Sequence, residues 1–111
     1  MRRRPGRALC LALAAIMGMT AVTAHAKTLQ VTISDLKFSS EEIEARVGDT
    51  VEWINRDALD HTATAPGRWD VTIPANGSGR LVVKKAGQAA YYCRFHPNMT
   101  ARIAIAQGSR K

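Results

Sequence analysis

Four residues with metal-binding side chains stand out in this chain. Cys93, His96 and Met99 fall within seven consecutive residues, and His61 lies upstream in a separate segment. A thiolate and two imidazoles, with a weakly bound thioether, form the ligand set of a blue-copper electron-transfer site. The residue types therefore predict that His61, Cys93, His96 and Met99 bind one copper ion.

The same residues allow other chemistry. A Cys-x-x-His pair also occurs in zinc sites, and a lone cysteine is often only a small buried apolar residue. Met99 favours copper, because zinc takes a second thiolate or a carboxylate more readily than a thioether. A nucleophilic dyad of Cys93 and His61 is a third reading. The sequence has no oxyanion-hole motif to accompany such a dyad. A mononuclear metal site whose coordination positions are all filled leaves no position open for a substrate. We therefore predict no enzymatic activity.

Residues 1–26 are predicted to be a secretory signal peptide. Four arginines precede an apolar stretch over 8–21, and Ala24-His25-Ala26 supplies a small-x-small cleavage pattern. The apolar stretch is shorter than the roughly 20 residues of a spanning helix, although an uncleaved anchor is an alternative. Cleavage would release a periplasmic domain, 27–111, with no stable membrane association.

The charge of the predicted mature domain is modest. The whole chain has 16 basic and nine acidic residues, and four of the basic residues belong to the signal. Twelve cations against nine anions leave +3, which is too little for the basic stripe of a nucleic-acid binder. A single mature cysteine cannot form an internal disulfide, whereas a bound metal would help to stabilise so small a domain.

Apolar residues alternate along the mature chain, and turn residues interrupt them at short intervals. This period-2 pattern predicts an all-β fold, an antiparallel β-sandwich of seven or eight strands. The strand candidates are 29–33, 43–47, 51–55, 61–64, 69–73, 79–84, 89–92 and 101–106. Cys93 then ends one strand and His96 and Met99 lie on the tight connection to the next. His61 begins a middle strand and is predicted to reach them from across the same end of the sandwich.

The loop Cys93, His96, Pro97 and Met99 matches the Cys-x-x-His-Pro-x-Met pattern of amicyanins. Similarity extends to 47–53, 61–64 and 90–93, so the chain resembles a cupredoxin, specifically an amicyanin-like member of the plastocyanin family. The resemblance implies a Greek-key β-sandwich that binds one type 1 copper and shuttles single electrons between periplasmic redox proteins. Many family members have asparagine directly after the first histidine ligand, where it ties the two ligand loops together; this chain has Thr62.

The expected partners are redox proteins such as a periplasmic dehydrogenase or a c-type cytochrome, and we expect a monomer. The alternative function is a periplasmic copper-binding protein for delivery or resistance, which could use the same ligands. The ring edge of His96 is the predicted electron port. The residues predicted to surround it with an apolar and positively charged rim are Leu59, Ala65, Pro66, Arg56, Arg68, Arg94 and Arg102.

Overall fold

The computed structural model describes residues 25–108, so nearly all of the predicted signal peptide, 1–26, lies outside the described residues. The strands are β1 (Thr28–Ser34), β2 (Lys37–Phe38), β3 (Glu42–Arg46), β4 (Thr50–Asn55), β5 (His61–Ala65), β6 (Trp69–Ile73), β7 (Ser78–Val82), β8 (Gly87–Cys93) and β9 (His96–Ala106). Residues 25–108 include no helix long and apolar enough to cross a membrane.

The strands form two sheets. One has the order β2-β1-β4-β7 and the other β3-β9-β8-β5-β6. The predicted all-β sandwich is confirmed, and eight of its strands correspond to the eight candidates in the sequence. The described part of the chain adds a ninth strand, β2, because a strand of two residues is too short to show any alternation.

The sheets are mixed rather than purely antiparallel. β1 runs parallel to β4, from Thr28 opposite Thr50 to Ile33 opposite Asn55, and β3 runs parallel to β9. The other pairs are antiparallel. Alternation along a strand determines which side chains are buried, but it carries no information about the direction of the neighbouring strand. The sequence pattern could therefore predict the layers and not these two pairings.

Aromatic side chains join the two sheets at the centre of the core. Tyr91 of β8 packs edge-on against Trp53 of β4, with ring centroids 5.6 Å apart, and against Phe38 at 4.9 Å. The indole N–H of Trp53 also donates a hydrogen bond of 3.4 Å to the Tyr91 hydroxyl. Burial of such side chains stabilises the fold by roughly 1.5–3 kcal/mol each. The strand ends that carry the metal-binding residues thus extend from a rigid core.

The connection between β8 and β9 is shorter than predicted. β8 ends at Cys93 and β9 begins at His96, so that only Arg94 and Phe95 lie between them. The expected start of the last strand near Ala101 was wrong by five residues. Residues 96–98 have no apolar alternation, and β9 reaches back to His96 because His96 pairs with Cys93 across an irregularity in the register between Tyr92 and Cys93.

Candidate metal centre

Three side chains bring metal-binding atoms together at one end of the sandwich. Cys93 Sγ lies 3.7 Å from His61 Nδ1 and 3.6 Å from His96 Nδ1. The ligand atoms of the three residues all lie within 4.8 Å of one another. His61 and Cys93 are fully buried, whereas His96 is partly exposed. The structure therefore brings together three of the four residues predicted as ligands.

These separations fit a single metal ion. Metal bonds of about 2.3 Å to sulfur and about 2.0 Å to nitrogen place the two donors about 3.5–3.7 Å apart, for angles between tetrahedral and trigonal. Both observed sulfur–nitrogen distances fall in that interval. One thiolate and two imidazoles also match the in-plane donors of a type 1 copper site. The residues present therefore fit copper.

Strand pairing explains why distant residues meet here. β5 and β8 are antiparallel neighbours, with Thr64 opposite Tyr92, so the start of β5 lies beside the end of β8. This places His61 next to Cys93, and the backbone N–H of Thr62 donates to Cys93 Sγ at 3.4 Å. The tight turn after Cys93 then returns His96 to the same point.

Asp57 determines the orientation of the buried histidine. Its Oδ2 lies 2.8 Å from His61 Nε2. A carboxylate accepts a hydrogen bond from the N–H at this nitrogen, so the neutral ring keeps its lone pair on Nδ1, the atom that faces Cys93. Burial raises the pKa of Asp57, but hydrogen bonds from the Leu36 amide, His61 and the Asp35 amide outweigh it and leave that pKa lowered. The carboxyl is therefore ionised at neutral pH.

The same carboxylate also holds the turn between β1 and β2. Asp57 accepts the backbone N–H of Asp35 at 2.8 Å and that of Leu36 at 3.0 Å. Asp35 and Leu36 have φ angles of 51° and 60°, in the left-handed region that non-glycine residues rarely adopt. The hydrogen bonds offset the cost of this backbone shape. Asp57 therefore connects His61 to the β1–β2 turn.

His96 lies at the surface of the site. Its ring stands edge-on to His61, with centroids 5.0 Å apart. It lines a surface recess between the β1–β2 turn and the start of β9, together with Leu36 and Phe95. Leu36 is 43% and Phe95 52% exposed. His96 is thus the one of the three donors that solvent or another protein can reach.

Met99 lies within β9 rather than on the loop before it. It is buried, at 4% exposure, three residues after His96, and it lines the same surface recess. A buried thioether at this position is compatible with a weak axial ligand. Its coordination to copper remains a prediction.

A family model described as a cupredoxin-like domain matches residues 7–105. The chain belongs to the cupredoxin-like family. Amicyanin from Paracoccus denitrificans is 32% identical to this cupredoxin over 82 residues, which cover 68% of this chain and 63% of amicyanin. The methylamine utilization protein MauL from Methylorubrum extorquens is 27% identical over 105 residues, covering 90% of this chain and 92% of MauL.

Solved structures of amicyanin share the fold of this cupredoxin. A reduced amicyanin variant superposes with a TM-score of 0.63 at 29% identity, covering 70% of this chain and 81% of amicyanin. A Cu(I) form of another amicyanin variant gives a TM-score of 0.64 at 27% identity, with the same coverage. The predicted resemblance to amicyanin-like cupredoxins is confirmed.

The predicted rim around His96 is only partly correct. β5 runs about 13 Å from His61 to Ala65 at roughly 3.3 Å per residue, so Ala65 and the Pro66 turn lie at the opposite end of the sandwich. Arg68 is also at that end, where it donates to the backbone oxygens of Gln88 and Lys85. Arg102 lies far along β9, opposite Glu42. A residue near a ligand in the sequence need not lie near His96 in space, because each residue of an extended strand adds roughly 3.3 Å of distance.

Sequence reasoning missed three side chains that support the cupredoxin site: Asp57, Thr64 and Asp70. Asp57 had a recognisable signal, since carboxylates commonly orient ligand histidines and it lies four residues before His61. The Thr64–Asp70 contact had none. It depends on the register of the β5–β6 hairpin, in which these two residues are opposite each other.

Proposed function

We propose that this cupredoxin is a periplasmic type 1 copper electron-transfer protein. The observation that carries the proposal is the meeting of Cys93 Sγ, His61 Nδ1 and His96 Nδ1 at separations that fit one copper ion. Copper bound there would supply a one-electron Cu(II)/Cu(I) couple. We propose that Cys93 would hold the copper through its thiolate, His61 and His96 through their imidazoles, and Met99 weakly through its thioether.

The surrounding residues prepare the site in two ways. Asp57 fixes the tautomer and the ring orientation of His61, and the Thr62 N–H donates to the Cys93 sulfur. Both ligands are fully buried, so water is kept away from them. When the donors cannot rearrange freely, the reorganisation energy of electron transfer is lower. This is the property that an electron carrier requires and that a copper-delivery protein does not.

Electrons would enter and leave at His96. Its ring is partly exposed and the apolar side chains of Leu36 and Phe95 lie at the same recess. A partner can cover this surface without stripping water from many charged groups. The residues that bind the metal tightly and the residue that faces the partner are therefore different members of one ligand set.

The proposed partners are redox proteins, such as a periplasmic dehydrogenase or a c-type cytochrome. Support comes from the relatives, one named amicyanin and one named a methylamine utilization protein. The predicted signal peptide, 1–26, and cleavage after Ala26 support export to the periplasm. Salt concentration should affect association only moderately, because the mature domain carries a net charge of +3.

The visible absorption spectrum of the purified protein with added Cu(II) tests the proposal. We expect an intense thiolate-to-copper band and reversible one-electron reduction. Cys93→Ala should abolish the band, whereas Thr100→Ala, an exposed change on β9, should leave it unchanged. A protein without the band is not a type 1 copper carrier. A protein that has the band but passes its copper rapidly to a metal-free acceptor would instead function in copper delivery.

A further inference from the structure

A closed ring of hydrogen bonds joins the two-residue turn after Cys93 to the edge strand β6. The backbone N–H of Arg94 donates to Thr62 Oγ1 at 2.8 Å, and the hydroxyl oxygens of Thr62 and Thr64 are 2.9 Å apart. The Thr64 hydroxyl donates to Asp70 Oδ1 at 2.7 Å, and Arg94 Nε donates to the same oxygen at 3.1 Å. Arg94, the residue after Cys93, is thus held at both its main chain and its side chain.

The Asp70 carboxylate determines which group donates in each hydrogen bond of this ring. An ionised carboxylate only accepts, so the Thr64 hydroxyl must donate to Asp70. Thr64 then accepts from the Thr62 hydroxyl, which leaves the Thr62 oxygen to accept the N–H of Arg94. Hydrogen bonds from Thr64 and then from Arg94 lower the pKa of Asp70, so the carboxyl stays ionised at neutral pH.

The ring has a buried half and an exposed half. Thr62 is fully buried and Thr64 is 7% exposed, whereas the side chains of Asp70 and Arg94 are 51% and 41% exposed. A buried hydroxyl without a partner is costly, so the two threonines depend on a terminal acceptor. Asp70 provides that acceptor from the surface of an edge strand.

We propose that Thr64 and Asp70 are positioning residues for the Cys93 thiolate, acting through Thr62 and Arg94. The ring fixes the backbone immediately after Cys93 while the Thr62 N–H holds the sulfur from the other side. Thr62 therefore ties the two ligand segments together with the help of a neighbouring strand. The consequence for copper rests on the proposed function, whereas the ordering of the loop does not.

Amide hydrogen exchange in the metal-free protein tests the ordering directly. We measure the Arg94 amide relative to the Arg102 amide, which donates to Glu41 in a different part of the sheet. Thr64→Val keeps the shape and removes the hydroxyl, and it should accelerate the relative exchange of Arg94 about tenfold, the effect of losing about one hydrogen bond. Asp70→Asn keeps an oxygen acceptor and should give a smaller increase.

Two further variants separate positioning from general destabilisation. Thr64→Ser retains the hydroxyl and should restore the wild-type exchange of Arg94. Thr28→Val, an exposed threonine on β1 in the other sheet, is the matched control and should change nothing. Relative Arg94 exchange in Thr64→Val and Asp70→Asn within twofold of wild type would overturn the proposal. If Thr64→Val does not fold, Asp70→Asn and Thr64→Ser decide in the same assay.

The Cu(II)-loaded protein provides the second measurement. Thr64→Val should alter the shape and relative intensities of the thiolate-to-copper bands and speed the loss of copper to a chelator, and Thr28→Val should not. If Thr64→Val altered the Arg94 exchange but left the copper spectrum unchanged, the ring would order the backbone of the metal-free protein only. That result would overturn its role in the geometry of the thiolate. Absence of any blue band in the wild-type protein would refute the proposed function instead, while the exchange result would still stand.

Discussion

The two histidines of the site have contrasting surroundings. His61 is completely buried, begins a strand whose residues are all buried, and has its outer nitrogen bound to Asp57. His96 is partly exposed, follows a two-residue turn, and makes no ion pair with a carboxylate among residues 25–108. The fold thus anchors one imidazole and leaves the other accessible. The difference indicates that the buried side of the ligand set contributes to stability, whereas the proposed electron exchange would use the exposed side.

The largest expected difference is in the stability lost when His61, on the buried side, or His96, on the exposed side, is replaced by glycine. His61→Gly opens a cavity in the interior and removes one of the three hydrogen bonds to the Asp57 carboxylate, so we expect the metal-free protein to lose about 2–4 kcal/mol of unfolding free energy. His96→Gly should lose less than about 1 kcal/mol, since the ring is partly solvated. Urea denaturation measures both values.

Added imidazole extends this test to the copper-loaded protein. A free imidazole can reach the position of His96 from solvent, so it should restore the blue band of His96→Gly at concentrations that leave His61→Gly uncoloured. Equal stability losses, or equal rescue of both variants, would show that the two sides do not differ in the way that their burial indicates.

Asp57→Asn should have the next largest effect. The amide can no longer accept from Asp35, Leu36 and His61 together, so we expect a loss of about 1–3 kcal/mol of stability. Copper affinity should fall about 10–100-fold, as is typical when the partner of a ligand histidine is changed. Competition with a chelator measures the affinity.

Glu41→Gln is the matched control for this prediction. It neutralises a carboxylate in the recess that His96 lines, and we expect stability to change by less than about 0.5 kcal/mol. If Asp57→Asn behaved like Glu41→Gln, the carboxylate would not be what anchors His61.

The smallest expected effect is a pH dependence of stability that arises from Glu52 and not from either histidine. Hydrogen bonds from Arg80 and then Gln30 lower the pKa of Glu52 from its ordinary value of 4.5. The stabilisation is therefore complete above pH 4.5 and is lost as the pH falls through the lowered folded-state value. Glu52→Gln should reduce the acid sensitivity of unfolding and leave copper binding unchanged. Matching acid profiles of wild type and variant would contradict this.

Much of the fold followed from local sequence patterns, and so did the choice of His61, Cys93, His96 and Met99 as candidate ligands. Alternation of apolar residues located eight strands, and the chemistry of sulfur and imidazole selected Cys93, His61 and His96 before any geometry was known. These inferences succeed because side-chain period and donor type are properties of the residues themselves. The start of β9 at His96 was missed, since pairing with β8 rather than composition makes that segment extended.

The support of the site was harder to predict, because it depends on relations between strands. Thr64 and Asp70 meet only if β5 and β6 pair in one register, and a shift of one residue would turn one of them to the other face. Asp57 acts on His61 only because its loop folds back over the start of β5. Second-layer contacts of this kind are the product of the whole topology and not of any motif.

The parallel pairing of β3 with β9 makes closure of its sheet a slow step in folding. Glu42 lies opposite Arg102, so this sheet cannot close until segments some sixty residues apart have met. Chains dominated by such remote pairings fold on the millisecond-to-second timescale, since loop entropy must be lost first. The three donor residues come from the start of β5, the end of β8 and the start of β9, and β9 completes its sheet only through this remote pairing. Assembly of the full donor set is therefore coupled to folding of the chain.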